Sequence, residues 1–347
     1  MNKFFAALFL CLFFLAGCGA RETAATHMQR AFTAQANGDA QTAVTAFNQA
    51  IALEPNLAAA YVGRGTAYAT LGNYTQAILD YNQAITLEPN NPTAYNALGY
   101  VRQLSGDDAQ ALANYSQAIT LNPNYAEAYF NRGLLYRQLG SYEAALADLG
   151  SVLRLTPNDA QAYLERSAIF AEMEQPTAAL SDLNQALTLN PRSAQAYNSR
   201  GMMHRITGDN QQAFADFSQA IALASDYAPP YLNRGILLVQ AGDLENGIAD
   251  YNQAIAIDPD NAEAYVNRGA AYLRLGDLEQ ALADLNQALA LNDDLAVAYI
   301  NRGNAYAVMG ETAKAISDLS HYLELEPESA LTEQVLAKIA ELEAGEP

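Results

Sequence analysis

A tyrosine returns every 34 residues along most of this chain, and that period limits the possible fold more than any other feature. Tyr61, Tyr95, Tyr129, Tyr163, Tyr197, Tyr231, Tyr265 and Tyr299 hold the register. Pro55, Pro89, Pro123, Pro157, Pro191, Pro259 and Pro327 keep the same spacing, with Ser225 and Asp293 in the two remaining places. No insertion breaks the pattern from 24 to 329. That stretch divides into nine units: 24–57, 58–91, 92–125, 126–159, 160–193, 194–227, 228–261, 262–295 and 296–329. Length alone, 347 residues, would suggest two or three domains. A fixed period of this size points instead to one array in which each unit buries its apolar face on its neighbours.

Each unit reads as two helices. In 262–295 the residues from Ala264 to Leu275 carry apolar side chains at helical spacing, and Gly276 ends that run in a position suited to left-handed backbone. Leu278–Leu291 forms a second amphipathic segment. Glycine inside a helix costs about 1 kcal/mol relative to alanine. Seven units accept that cost at Gly65, Gly99, Gly133, Gly201, Gly235, Gly269 and Gly303, which calls for a steric cause such as close helix contact. The repeated prolines stop the second helix. Asn56, Asn90, Asn124, Asn158, Asp226, Asp260 and Asp294 follow them as expected N-caps of the next helix. The first unit departs from the pattern with His27 and Ala31. The fifth has Met173-Glu174-Gln175 and then Pro176, which predicts a different turn there. Residues 330–344 form one more amphipathic helix that caps the array, and 330–347 is assigned to this cap and tail.

The unit resembles the tetratricopeptide repeat. Tyr265 stands where that family often has Trp, and Gly269, Tyr272, Ala281, Leu285 and Ala288 match the next signature places. The resemblance implies an all-α fold: a right-handed α-α superhelix of about nine helix-turn-helix repeats with a C-terminal capping helix. It also implies that the first helix of each pair lines an inner wall along which ligands lie.

Arginine stands just before the repeated glycine at Arg30, Arg64, Arg132, Arg166, Arg200, Arg234, Arg268 and Arg302. Sixteen residues later, in the second helix, come Asp80, Asp148, Asp182, Asp216, Asp250, Asp284 and Asp318. The third unit loses both partners together, to Leu98 and Asn114, which favours pairing within a unit. The alternative is a basic stripe for an anionic ligand. Arg102, Arg137, Arg205 and Arg274, late in first helices, are read either as solvated surface or as a cationic lip for an acidic segment.

By resemblance, the place after the repeated tyrosine faces the groove: Phe130, Leu232, Val266 and Ile300, with Val62, Asn96, Leu164 and Asn198 elsewhere. It never holds the lysine of the family's carboxylate-clamp members, so their ligand is rejected. One place further stand Asn131, Asn233, Asn267 and Asn301. They resemble the asparagine ladder of the O-linked N-acetylglucosamine transferase superhelix, whose amides hold peptide main chain. An amide donates and accepts together, so it reads backbone without demanding a sequence. The other reading makes these asparagines a habit of the repeat and packs the wall residues against neighbouring units. Tyr100, Leu134, Met202, Ile236 and Asn304 are expected to face inward as well.

Residues 1–17 have the shape of a secretory signal, with Lys3 before an apolar run from Phe4 to Ala16. Leu15-Ala16-Gly17-Cys18 resembles a lipoprotein cleavage box, which implies lipid on Cys18 and a short tether over 18–23. The five residues Gly19–Thr23 reach under ~20 Å when extended, so the array is expected close to the membrane. The expected location is the bacterial cell envelope, on the extracytoplasmic side, facing the periplasm where an outer membrane exists.

Composition removes other functions. The chain has 38 acidic and 18 basic residues, a net charge of −20, which argues against nucleic acid. Two Cys and three His leave no room for a multi-ligand metal site. His204 and His321 replace repeat residues and look structural, with no acid specially placed to orient either. No catalytic or cofactor motif is present. The expected function is therefore a tethered scaffold binding a protein or peptide. A lipoprotein holding a small molecule or glycan inside the superhelix is the alternative.

Overall fold

A computed structural model describes residues 22–345. The signal segment 1–17, Cys18 and the first part of the tether lie outside the described residues. Every regular element among those described is a helix, and the helices follow one another as packed pairs. The chain forms two compact units, one ending at Ser151 and the other beginning at Val152.

The first unit holds the pairs α1 (Ala24–Ala36) with α2 (Ala40–Leu53), α3 (Ala58–Thr70) with α4 (Tyr74–Leu87), and α5 (Pro92–Leu104) with α6 (Asp108–Leu121). It also holds α7 (Ala126–Gln138) and most of α8 (Tyr142–Leu155). The second unit takes up α9 (Ala160–Glu172) with α10 (Pro176–Leu189), α11 (Ala194–Ile206) with α12 (Asn210–Leu223), and α13 (Ala228–Gln240) with α14 (Leu244–Ile257). Next come α15 (Ala262–Leu275) with α16 (Leu278–Leu291) and α17 (Ala296–Val308) with α18 (Thr312–Leu325). The last helix, α19 (Thr332–Glu343), follows them. Within each unit a first helix touches its own partner, the second helix before it, and the first helices on either side.

Steric fit at the repeated glycines explains the close pairing. A Cβ on Gly201 would lie 2.6 Å from the Phe217 ring, and one on Gly235 would lie 2.6 Å from the Tyr251 ring. Each ring belongs to the second helix of the same pair, where packing leaves no space for a methyl group. The first pair solves the problem differently. Ala31 takes the glycine's place there, and the Phe47 ring instead covers Gly63 of the next first helix, with Phe32 edge-on at 5.5 Å. Small residues carry the rest of the contact: Ala77, Ala111, Ala179, Ala213, Ala281 and Ala315 are fully buried.

Two expectations about the turns are corrected. Asn56, Asn90, Asn124, Asn158, Asp226, Asp260 and Asp294 do not cap the following helix, because each helix starts one residue later. The N-caps are Leu57, Asn91, Tyr125, Asp159, Tyr227, Asn261 and Leu295, with Ser193 in the remaining unit. Of these, Asn91, Asp159, Ser193 and Asn261 accept a backbone N–H in their side chains. The second helices are capped more regularly, by Asp39, Asn73, Asp107, Asp209, Asp243 and Asp277. The turn of the fifth repeat is also not different. Glu174 N–H bonds Ala171 O, and Gln175 N–H bonds Phe170 O, as Gly140 and Ser141 bond Arg137 and Tyr136. Glu174 achieves this at φ 56°, in the left-handed region that glycine fills in the other repeats, and Pro176 opens α10.

Helix α19 closes the second unit as an extra helix. Val335 is buried against Ala296, Leu319 and Tyr322, with Ile339 and Leu342 beside it.

Left-handed backbone costs a residue with a Cβ about 1–2 kcal/mol. Glu174→Gly is therefore expected to stabilise the protein by about 1 kcal/mol, read as a rise in the urea midpoint. An unchanged or lower midpoint would refute the strain.

Candidate functional site

The arginine ladder is built inside each pair. Arg64, Arg132, Arg166, Arg200, Arg234, Arg268 and Arg302 each grip the Asp sixteen residues on through Nε and Nη2, at 2.6–2.8 Å. The aspartates are about 5% exposed. Their hydrogen bonds hold the guanidinium pKa values above the ordinary range, against the opposing effect of burial. Such two-pronged pairs combine charge with fixed geometry.

The structure adds a third contact, absent from the sequence reading. Nη1 reaches back to the second helix of the preceding repeat. Arg64 bonds Asn48 at 2.6 Å, Arg132 Ser116 at 2.9 Å, Arg200 Asn184 at 2.8 Å, Arg234 Ser218 at 3.1 Å, Arg268 Asn252 at 2.6 Å and Arg302 Asn286 at 2.8 Å. The tyrosine three residues earlier lies under the same guanidinium, 5.4 Å away for Arg200 over Tyr197 and Arg302 over Tyr299. The acceptors were visible in the sequence, sixteen residues before each of these six arginines, whereas Gly150 leaves Arg166 without one. These cations are thus engaged within the fold, so they form no stripe for an anionic ligand. In the first repeat Arg30 turns to Glu22 at 2.7 Å, and in the third Leu98 joins an apolar cluster with Tyr81 and Val101.

The expected groove residues divide into two groups. Leu232 is buried in a cluster with Tyr251 and Ala264, and Val266 in one with Leu285 and Ala298, so both pack within their own repeat and onto the next and offer nothing to a ligand. Phe130 and Ile300 are half-buried. Asn131 and Asn233 are half-buried too, and each spends one amide N–H on the preceding repeat. Asn131 Nδ2 donates to Asn96 Oδ1 at 3.2 Å, and Asn233 Nδ2 donates to Asn198 Oδ1 at 3.1 Å. Asn96 and Asn198 are themselves buried. Asn267 and Asn301 follow apolar residues, Leu232 and Val266, in the corresponding place of the preceding repeat. Their amides have no hydrogen-bond partner among the described residues. Around them on α17 stand exposed Asn304, Val297 at 58% and Val308 at 73%. Leu134, Met202 and Ile236 are half-buried, and Tyr100 is exposed.

The histidines also differ from expectation. Glu324 Oε2 lies 2.9 Å from His321 Nδ1, one helical turn away, and Tyr299 packs edge-on against the ring. Asp216 Oδ2 lies 3.9 Å from His204 Nε2. Both acids are already part of the helix surface or the ladder, so these are packing contacts. Among the described residues, no group of three His, Cys, Asp or Glu side chains could hold a metal, and no helix is long and apolar enough to cross a membrane. Two surface hollows measure about 330 Å³ beside Arg302, Tyr306 and Lys314, and about 340 Å³ beside Phe214, Leu237 and Leu238.

Successive helix pairs of this kind are the frame of a binding scaffold, and known proteins give its family. Sequence profiles described as TPR repeat or tetratricopeptide repeat match residues 65–106, 104–140, 133–174, 164–228, 235–276, 262–295 and 296–329. The chain belongs to the tetratricopeptide repeat family, a scaffold suited to protein or peptide binding. Its fold is similar to that of a tetratricopeptide repeat protein from Parabacteroides merdae, with TM-score 0.57 and 22% identity over 72% of this chain and 98% of that one. It is also similar to Cut9–Hcn1 of the APC/C, with TM-score 0.60 and 17% identity over 86% and 59%. Pseudomonas aeruginosa pilF gives 0.54 and 20% over 60% and 94%. A search of curated proteins by sequence finds no match.

Removing one partner of a buried pair costs about 3–5 kcal/mol. Arg268→Leu and Asp284→Leu are each expected to destabilise by about 3 kcal/mol. The double variant should lose less than their sum by about 1–3 kcal/mol. Additive losses in urea denaturation would show that the two do not interact.

Proposed function

We propose that this chain is a membrane-tethered scaffold that holds an extended peptide segment of a partner protein along the first helices of its C-terminal repeats. The observation that carries this reading is the pair of free amides at Asn267 and Asn301. They occupy the same place on successive first helices, and each keeps a donor and an acceptor unused. A peptide backbone offers the complementary pair at every residue, and the exposed Val297 and Val308 add apolar contact for its side chains. At Asn131 and Asn233 the preceding repeat takes one N–H, which leaves the Oδ1 and one N–H for the same use.

The tether rests on sequence. An apolar run ending in Leu15-Ala16-Gly17-Cys18 supports lipid on Cys18 and a place on the extracytoplasmic side of a bacterial envelope, where the scaffold would serve envelope assembly. With a net charge of −20 the chain has no electrostatic attraction to an anionic membrane, so lipid is the element that would keep it there.

One experiment in cells tests both parts. A photo-crosslinking side chain at Asn267 or Asn301 should trap a partner protein, while one at exposed Gln253 should not. Labelled palmitate should enter the wild-type chain and fail to enter Cys18→Ala. Equal trapping at all three positions would overturn the groove, and label retained by Cys18→Ala would overturn the anchor.

A further inference from the structure

We propose that the hollow between α12 and α13 binds one neutral, flat aromatic ring with a hydrogen-bonding edge, of which indole is the type. It shares no residue with the wall of Asn267 and Asn301, so it stands or falls apart from the scaffold reading.

The hollow measures about 340 Å³ and opens to the surface. Leu237, buried, and Leu238, half-buried, lie on its α13 side, and the Phe214 ring lies on its α12 side. Two replacements make the space. In five repeats the place of Leu238 holds a ring: Tyr68, Tyr136, Phe170, Tyr272 and Tyr306. The place of Asn210 is Tyr74, Tyr142, Leu244 or Leu278 in four others. Tyr74 shows what such a residue does: it packs on the cluster that holds Val101, the counterpart of Leu237. Asn210 cannot supply that cover. Here the ring comes from the second helix instead, and Phe214 is left 42% exposed. Arg234 reaches this ring at 5.8 Å, but that cation is already held by Asp250 and Ser218. Covering the open part of the ring and the leucines beside it favours an apolar ligand. A second ring suits the place, because aromatic pairs gain from offset or edge-on contact beyond the area they bury.

The rim selects within that class. Asn210, Gln211 and Gln240 line the hollow, are exposed, and have no hydrogen-bond partner among the described residues. Each amide donates and accepts, so together they meet a ring N–H or a ring acceptor. No charged side chain among the described residues lines the hollow. A charged substituent would lose water there without gaining a countercharge, so the ligand is neutral. A sugar is disfavoured for the same reason, because hydroxyls turned to Leu237 and Leu238 would go unpaired. The volume is at the low end for ligand pockets, which fits one ring system and not an extended molecule.

The chain has no Trp, so the fluorescence of an added indole reports on the ligand without a protein indole in the background. Titrating the full chain with free indole should give a saturable change. Leu238→Tyr restores the ring of the other repeats and fills the space. It should leave the urea midpoint unchanged or higher and weaken indole about tenfold or more. Phe214→Ala, at an exposed surface ring, should weaken it about tenfold as well. Leu139→Tyr, at an exposed leucine of the other unit, should leave it unchanged. Naphthalene, a flat ring system without a polar edge, should bind more weakly than indole. N-Acetyltryptophanamide tells the two sources apart. If it binds as well as indole, the group is a tryptophan side chain of a partner protein; if only indole binds, it is a small molecule. Absence of saturable binding overturns the site, as does indole binding that survives both Leu238→Tyr and Phe214→Ala. Naphthalene bound as tightly as indole, or glucose competing with indole, overturns the ligand class.

Discussion

The interaction on which most of this fold depends is what one guanidinium does between three partners. In six repeats an arginine on the first helix binds the buried Asp of its own second helix, the Asn or Ser of the preceding second helix, and the face of a tyrosine one turn back. Without the arginine, the Asp would be an unpaired charge at about 5% exposure. Without the Asp, the arginine would be a half-buried cation with no countercharge. The pair sits beside the glycine that lets the two helices close, so the steric and electrostatic parts of the contact occupy one place. Hydrophobic burial drives the association of the helices.

The period, the helix pairs, the tight glycines and the intra-repeat pairing were all legible in the sequence, because each leaves a residue-type mark at a fixed interval. The joint loss of Arg and Asp at Leu98 and Asn114 identified the partners before any geometry was known. The backward bond to Asn48, Ser116, Asn184, Ser218, Asn252 and Asn286 was equally periodic. Its residue types do not mark it, because Asn and Ser on a helix surface look like ordinary solvent-facing residues. The N-cap positions were misplaced by one residue, since Asn and Asp favour turns as well as caps and only backbone geometry separates the two. Glu174 shows the reverse case: the residue type argued for another turn, and the packing of the flanking helices imposed the usual one.

The groove was the least legible part. Four asparagines at one repeat position looked equivalent. Their difference lies 35 residues earlier, where Asn96 and Asn198 take one N–H each from Asn131 and Asn233, while Leu232 and Val266 leave the amides of Asn267 and Asn301 without a partner. A ligand wall is therefore defined by what the preceding repeat leaves unused.

The claim that one arginine couples two repeats is tested most directly by amide hydrogen exchange on Arg268→Gln. Asn252, on α14, and Asp284, on α16, are both held by Arg268. The account predicts faster exchange in both helices, with α4 in the other unit unchanged. Loss of protection confined to α16 would contradict it, because the arginine would then brace its own repeat alone.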